Sequence, residues 1–232
     1  MEILARHKYL LLLLALVAML IWSSFAHRLP IRPVVTEVLA MVVLVTVFLV
    51  VFTRRRERAV ALAIVVMAMA LRWSRYIFPP QEGSTLQPTI FHGLVAVFLA
   101  FAVYVILRNI FAEKNVTADE VLGTVCGYFI AAALCSHVYA VVELAAPGSF
   151  AFAPALAKQA ASWDGRVAIF NYFSLVTLTT MGYGDVTPLR GPATALATVE
   201  VVFGQFYIAI VVAQLVGIQL AQAMTPNNDG KS

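Results

Sequence analysis

Seven consecutive residues, Thr179-Thr180-Met181-Gly182-Tyr183-Gly184-Asp185, have the composition needed to hold a bare cation on backbone oxygens. A cation stripped of water needs oxygen ligands all round it. Backbone carbonyls supply them when consecutive residues aim their C=O groups at one axis. That arrangement demands dihedrals that glycine tolerates best. Gly182 and Gly184 alternate with Tyr183, whose ring can brace the loop from behind, and Thr180 can add a hydroxyl at the inner mouth. The candidate ligands are thus Thr180, Met181, Gly182, Tyr183 and Gly184, with Asp185 in support. No nucleophile triad or metal-ligand spacing accompanies them. The two cysteines, Cys126 and Cys135, lie nine residues apart in one apolar run. On a helix they point to opposite faces and cannot pair within the chain.

The elements that must position this loop are apolar. Of 232 residues, 62% are hydrophobic and 12% charged, more apolar material than a water-soluble fold of this length can cover. A net charge of +4, scattered at the ends of the apolar runs, gives no footprint for nucleic acid. Runs long enough to span a bilayer occupy about 9–26, 34–52, 59–78, 90–111, 120–146 and 192–223. A shorter run, about 166–179, leads straight into the glycine motif. Its length suits a re-entrant half-helix, and the backbone after it is tolerated at membrane depth only where it lines a water-filled path. The expected fold is therefore an all-α membrane protein with six transmembrane helices and a re-entrant pore helix and filter loop between the fifth and sixth.

Cations orient the chain. Arg6, Lys8, Arg54, Arg55, Arg56, Arg58, Arg108, Lys114 and Lys231 fall on one side; Arg28, Arg32, Arg72, Arg75, Lys158, Arg166 and Arg190 fall on the other. The dense Arg54–Arg58 cluster puts both termini in the cytoplasm and the 147–165 segment outside. Arg6-His7-Lys8, the apolar stretch after it and Ser24-Phe25-Ala26 also fit a cleavable signal peptide, although the run of about 18 residues exceeds the usual 7–15. Thr117-Ala118-Asp119-Glu120 reads as a capping box that starts the fifth helix. It gives a boundary between a four-helix membrane domain, 1–112, and a pore domain, 113–223, followed by a short cytoplasmic tail, 224–232.

Thr180-Met181-Gly182-Tyr183-Gly184-Asp185 resembles the Thr-Val-Gly-Tyr-Gly-Asp filter of the tetrameric potassium channel family, with Met181 where Val or Ile is usual. Asn171-Tyr172-Phe173-Ser174-Leu175-Val176-Thr177-Leu178 resembles that family's pore helix, with Tyr172 and Phe173 where many members carry two Trp. Glu143-Leu144-Ala145-Ala146-Pro147-Gly148 is similar to the end of its outer helix. Gly204, nineteen residues after Asp185, has the spacing of its inner-helix hinge glycine. The likeness covers residues 116–223 and extends to small bacterial inner-membrane members of the ion-channel pore family. It implies a homotetramer in the cell membrane that conducts K⁺ passively, with K⁺ on Thr180, Met181, Gly182 and Tyr183, no cofactor and no enzymatic chemistry. Two rivals stay open: a less selective monovalent cation channel, and a membrane sensor or transporter subunit whose pore-like loop is structural.

Several single residues carry two readings each. Glu143 is a brace for the pore loop or an interfacial acid in water. Glu200 sits behind the filter or makes an ordinary helix–helix bond. Tyr172 is placed to donate to Asp185, thirteen residues on. Arg72 and Arg75 are candidates for an ion pair with Glu37 or for snorkelling to headgroups. His92 is expected at the interface. The fourth helix carries only Arg108, at its cytoplasmic end, whereas a voltage sensor needs several arginines in the field, each worth about 2.3 kcal/mol per 100 mV. Gly123 and Gly127 mark close helix packing. On the sixth helix, Gln205, Ile208, Val212 and Val216 share the face expected to line the inner path, and a rotation by one residue would put Ala209 and Ala213 there instead.

Overall fold

The computed structural model describes residues 8–25, 32–77, 84–112 and 117–224. Expectations for Arg6, Arg28, Lys114, Lys231, the end of the signal-like stretch at Ala26, and the tail beyond Met224 lie outside the described residues. Those for the side chains of Arg32, Arg75 and Val212 do too.

Each apolar run falls on a helix: α1 (Lys8–Phe25), α2 (Arg32–Val51), α3 (Arg55–Ile77), α4 (Leu86–Ala112), α5 (Ala118–Ala145) and, last, α8 (Gly191–Met224). Among the described residues, four stretches are long and apolar enough to cross a membrane: Val34–Val51, Leu86–Ala112, Asp119–Ala145 and Gly191–Ile218. Helix α1 is apolar but shorter over Lys8–Ser23, and α3 carries charge at both ends of its apolar middle. Apolar side chains such as Val38, Val45 and Leu49 on α2 and Val60, Val66 and Met67 on α3 stand exposed, a surface that suits lipid as the solvent.

Two apolar cores hold the chain together. The first, around Phe52, Phe98, Ala102 and Ile130, joins α1–α4 to α5; Phe52 packs 4.8 Å from Phe101, centroid to centroid. The second, around Tyr139, Phe150, Phe170, Phe173 and Ala197, surrounds the helix before the filter. Glycine lets α5 approach its neighbours closely. A Cβ at Gly123 would meet the Tyr9 ring at 3.1 Å, and one at Gly127 would meet the Tyr207 hydroxyl at 2.4 Å. The start of α5 is the expected capping box: Thr117 N–H donates to Glu120 Oε2 at 2.5 Å and Glu120 N–H to Thr117 Oγ1 at 3.4 Å.

The segment between α5 and α8 holds more structure than the sequence reading gave it. Strand β1 (Phe150–Phe152) leads into a 3₁₀ turn (Pro154–Leu156) and a short helix α6 (Ala157–Ala160), then α7 (Trp163–Leu178), the glycine motif and strand β2 (Val186–Pro188). β1 and β2 pair antiparallel with Ala151 opposite Thr187. This small ribbon departs from the expected all-helical reading. Three-residue strands carry no alternation long enough to register as a period of two.

Candidate ion-conduction site

Helix α7 is the expected half-helix. Ser162 caps it, accepting from Gly165 N–H at 3.1 Å, and its far end feeds the glycine motif. The first residues after α7 turn back on it: Thr180 N–H donates to Thr177 O at 3.0 Å and Met181 N–H to Val176 O at 2.9 Å. Beyond them the backbone alternates. Thr180, Gly182 and Gly184 have φ of +59°, +56° and +76°, and the intervening Met181 and Tyr183 do not share the left-handed region. Such alternation points successive carbonyls to one side of the strand and successive N–H groups to the other.

At Gly182 and Gly184 a Cβ would meet nothing within 4 Å, so backbone conformation and not space calls for glycine there. Thr180 adopts the same region with a β-branched side chain, a strain of about 1–2 kcal/mol. Strain of this kind persists only where surrounding structure imposes it. Thr180, Met181, Gly182, Tyr183 and Gly184 are all exposed in the single subunit. A lone strand leaves the other side of any bound cation open.

Polar contacts fix the back of the loop. Tyr172 donates to Asp185 Oδ2 at 2.8 Å, and its ring stacks on Tyr183, 6.5 Å between centroids and 7° between planes. Glu200 of α8, 2% exposed, accepts from the hydroxyls of Tyr139 on α5 and Ser174 on α7. One carboxylate therefore joins three helices directly behind the loop. Ser174 Oγ also stands 2.8 Å from Ala132 O, so its single proton serves either partner. Glu143 is buried at 3% exposure. It accepts from Gly148 N–H at 3.1 Å, Ser149 N–H at 2.9 Å and Arg166 Nη1 at 3.3 Å. It thus braces the turn after α5 and the start of α7, and does not touch the glycine loop itself.

Gly204, expected as a hinge glycine from its spacing, also makes a close packing contact. It is buried, and a Cβ there would stand 2.4 Å from Leu178 O and 3.0 Å from Leu178 Cα. The position is a close crossing of α8 over the end of α7. Along α8, Ala193, Ala197, Glu200, Gly204, Tyr207 and Val211 are buried against the same subunit. Gln205, Ile208 and Val216, of the expected lining face, are exposed; so are Ala209 and Ala213 of the rotated face. Exposure in one subunit does not choose between those faces.

Between the end of α3 and the start of α2, Arg72 grips Glu37 side-on, Nε to Oε2 at 2.8 Å and Nη2 to Oε1 at 2.5 Å. His92, expected at the interface, is buried within the protein at 3% exposure, with Nδ1 2.8 Å from His137 Nδ1 and with Trp163 Nε1 donating to its Nε2 at 3.3 Å. Sequence reading missed this cluster because its members lie 45 and 71 residues apart, on three helices. At the C-terminal end of α4, Arg108 pairs with Glu57 at 2.6 Å.

A protein-family model described as an ion channel matches residues 124–219, from the first turns of α5 through the glycine loop to the last turns of α8. No curated protein and no solved structure matches the chain. The match supports an ion-channel domain in this stretch, and the four described helices long and apolar enough to span support an integral membrane protein.

Proposed function

We propose that the protein is a potassium-selective channel subunit that works as a homotetramer. The observation that carries the reading is the alternation of left-handed φ at Thr180, Gly182 and Gly184 directly after a half-helix. It supplies a row of carbonyls on one side of the strand, and a dehydrated K⁺ needs such rows all round it. Four copies about one axis close the cage, and cyclic symmetry is the ordinary way to place four identical strands about an axis. In this reading Thr180, Met181, Gly182 and Tyr183 hold K⁺ in turn, with Gly184 at the outer mouth. Met181 contributes only its carbonyl. Asp185, Tyr172 and Glu200 hold the loop, Glu143 braces the start of the helix that leads into it, and the half of α8 below Gly204, with Gln205, Ile208, Val212 and Val216, lines the inner path.

The same reading takes six helices across the cell membrane with both termini in the cytoplasm, and residues 1–112 as a domain packed on the pore. Arg108 pairs with Glu57 at the end of α4, and Arg72 pairs with Glu37. Neither is one of a ladder of arginines, so conduction depends little on voltage. Purified protein in liposomes loaded with K⁺ tests the reading. Valinomycin-independent K⁺ and Rb⁺ efflux is expected, lost in Gly182→Ala. Equal Na⁺ and K⁺ efflux through the wild-type protein refutes selectivity, and absence of any efflux refutes conduction.

A further inference from the structure

Between the outer halves of α1–α5 and helix α7 lies a cavity of about 190 Å³. Its wall is mostly apolar, with Leu44, Val95, Leu99, Ile130 and Ala133 among its residues. One end is polar: Glu37, Arg72, His92 and His137 gather there, and Asn171 reaches in from α7.

The hydrogen bonds at that end fix where the protons lie. The indole N–H of Trp163 can only donate, so His92 Nε2, its acceptor at 3.3 Å, carries no proton. The proton of His92 is then on Nδ1, donated across 2.8 Å to His137 Nδ1. His137 in turn carries its proton on Nε2, and that N–H has no partner among the described residues. A second proton in the 2.8 Å gap would set two N–H groups against each other, so both rings are neutral. Arg72 spends Nε and Nη2 on Glu37 and lies 5.2 Å over the Phe91 ring. The half-buried carboxamide of Asn171 makes no hydrogen bond among the described residues. The polar end therefore offers N–H donors and the Asn171 carbonyl to an occupant; its half-buried charges, Arg72 and Glu37, are paired, and Asp164, which also lines the cavity, is exposed to water.

We propose that this cavity binds a small uncharged amphiphile whose head accepts hydrogen bonds, such as a ketone or ester, with its hydrocarbon tail along the apolar wall. An anion would meet no free cation among the described lining residues, and a cation only Asp164, an exposed carboxylate that water already solvates. A plain hydrocarbon would leave the donors unmatched. A cavity of about 150 Å³ takes a benzene, so this one takes roughly eight non-hydrogen atoms. That is too few for a phospholipid, and the occupant is a solute of the bilayer. Val167, Ala168, Asn171 and Leu175, on one face of α7, line the cavity. Occupancy therefore acts on the helix that carries the filter, a consequence that rests on the channel reading above.

The full chain in nanodiscs is titrated calorimetrically with 2-heptanone against empty nanodiscs. The expected result is one saturable site per chain, at least tenfold weaker for heptane and absent for heptanoate and heptylammonium. Asn171→Leu removes a donor that has no partner among the described residues and weakens 2-heptanone about tenfold. Ala133→Phe fills the cavity and abolishes the site. In liposomes, 2-heptanone alters K⁺ efflux of the wild type and not of Ala133→Phe. Heats equal to those of empty nanodiscs, or heptane binding as tightly as the ketone, overturn the proposal. Saturable binding with unchanged efflux overturns the coupling to α7 alone. Binding in a protein that conducts nothing contradicts the channel reading and leaves the cavity assignment standing.

Discussion

The outer and inner halves of α8 behave as different materials. Above Gly204 the helix is tied down by chemistry. Glu200 takes hydroxyls from α5 and α7, Gly204 lies on the Leu178 carbonyl, and the loop beside it is pinned by Tyr172 on Asp185. Below Gly204 the ties to the same subunit reduce to Tyr207, which donates to Thr124 O at 2.7 Å, and Val211. Among the described side chains beyond Val211, none is buried. The contrast separates two tasks that ion conduction sets against each other. Selecting an ion requires ligands held to fractions of an ångström, and opening a path requires a helix that can move.

Substitutions that break the outer half should have the largest effects. Glu200→Ala strips the Tyr139 hydroxyl of its buried acceptor and leaves Ser174 only Ala132 O; it should lower stability by roughly 2–3 kcal/mol, read as an earlier thermal unfolding midpoint and loss of selective flux. Gly204→Ala drives a Cβ into a backbone carbonyl that cannot step aside, and should destabilise by about 2 kcal/mol with displaced packing of α8 on α7 in a structure of the variant. Tyr172→Phe removes one charge-assisted bond and should cost about 1.5 kcal/mol; its signature is Na⁺ leak or faster decline of K⁺ current, since the fold keeps its other ties. In the inner half, Ile208→Ala and Val216→Ala should change stability by less than about 0.5 kcal/mol while shifting open probability in single-channel records. If Val216→Ala unfolds the protein as readily as Glu200→Ala, the division between held and mobile halves is wrong.

What could be read from sequence follows how local the signal is. The glycine loop, the capping box at Thr117 and the spacing from Tyr172 to Asp185 are set within thirteen residues or fewer, and composition and period reveal them. Glu37 with Arg72 was reachable because intramembrane charges seek partners and both lie at the outer ends of their helices. The His92–His137–Trp163 chain was not. A lone histidine near a helix end looks like any interfacial residue until two more helices are folded against it. Gly204 shows a subtler limit. Its spacing from the loop was plain, but spacing does not reveal that a Cβ there would run into the Leu178 carbonyl, a contact set by the crossing of two helices. The β1–β2 ribbon was hidden for a third reason, since three-residue strands rest on pairing across the loop and not on pattern.

The central claim is that the strand from Thr180 to Gly184 selects K⁺ by its carbonyls. Reversal potentials under bi-ionic K⁺/Na⁺ conditions in planar bilayers, with the purified wild-type protein, test it most directly. The account predicts a reversal potential set by K⁺, unchanged in sign when Rb⁺ replaces K⁺, and collapsed toward zero in Gly182→Ala. A wild-type reversal potential near zero between K⁺ and Na⁺ would contradict it.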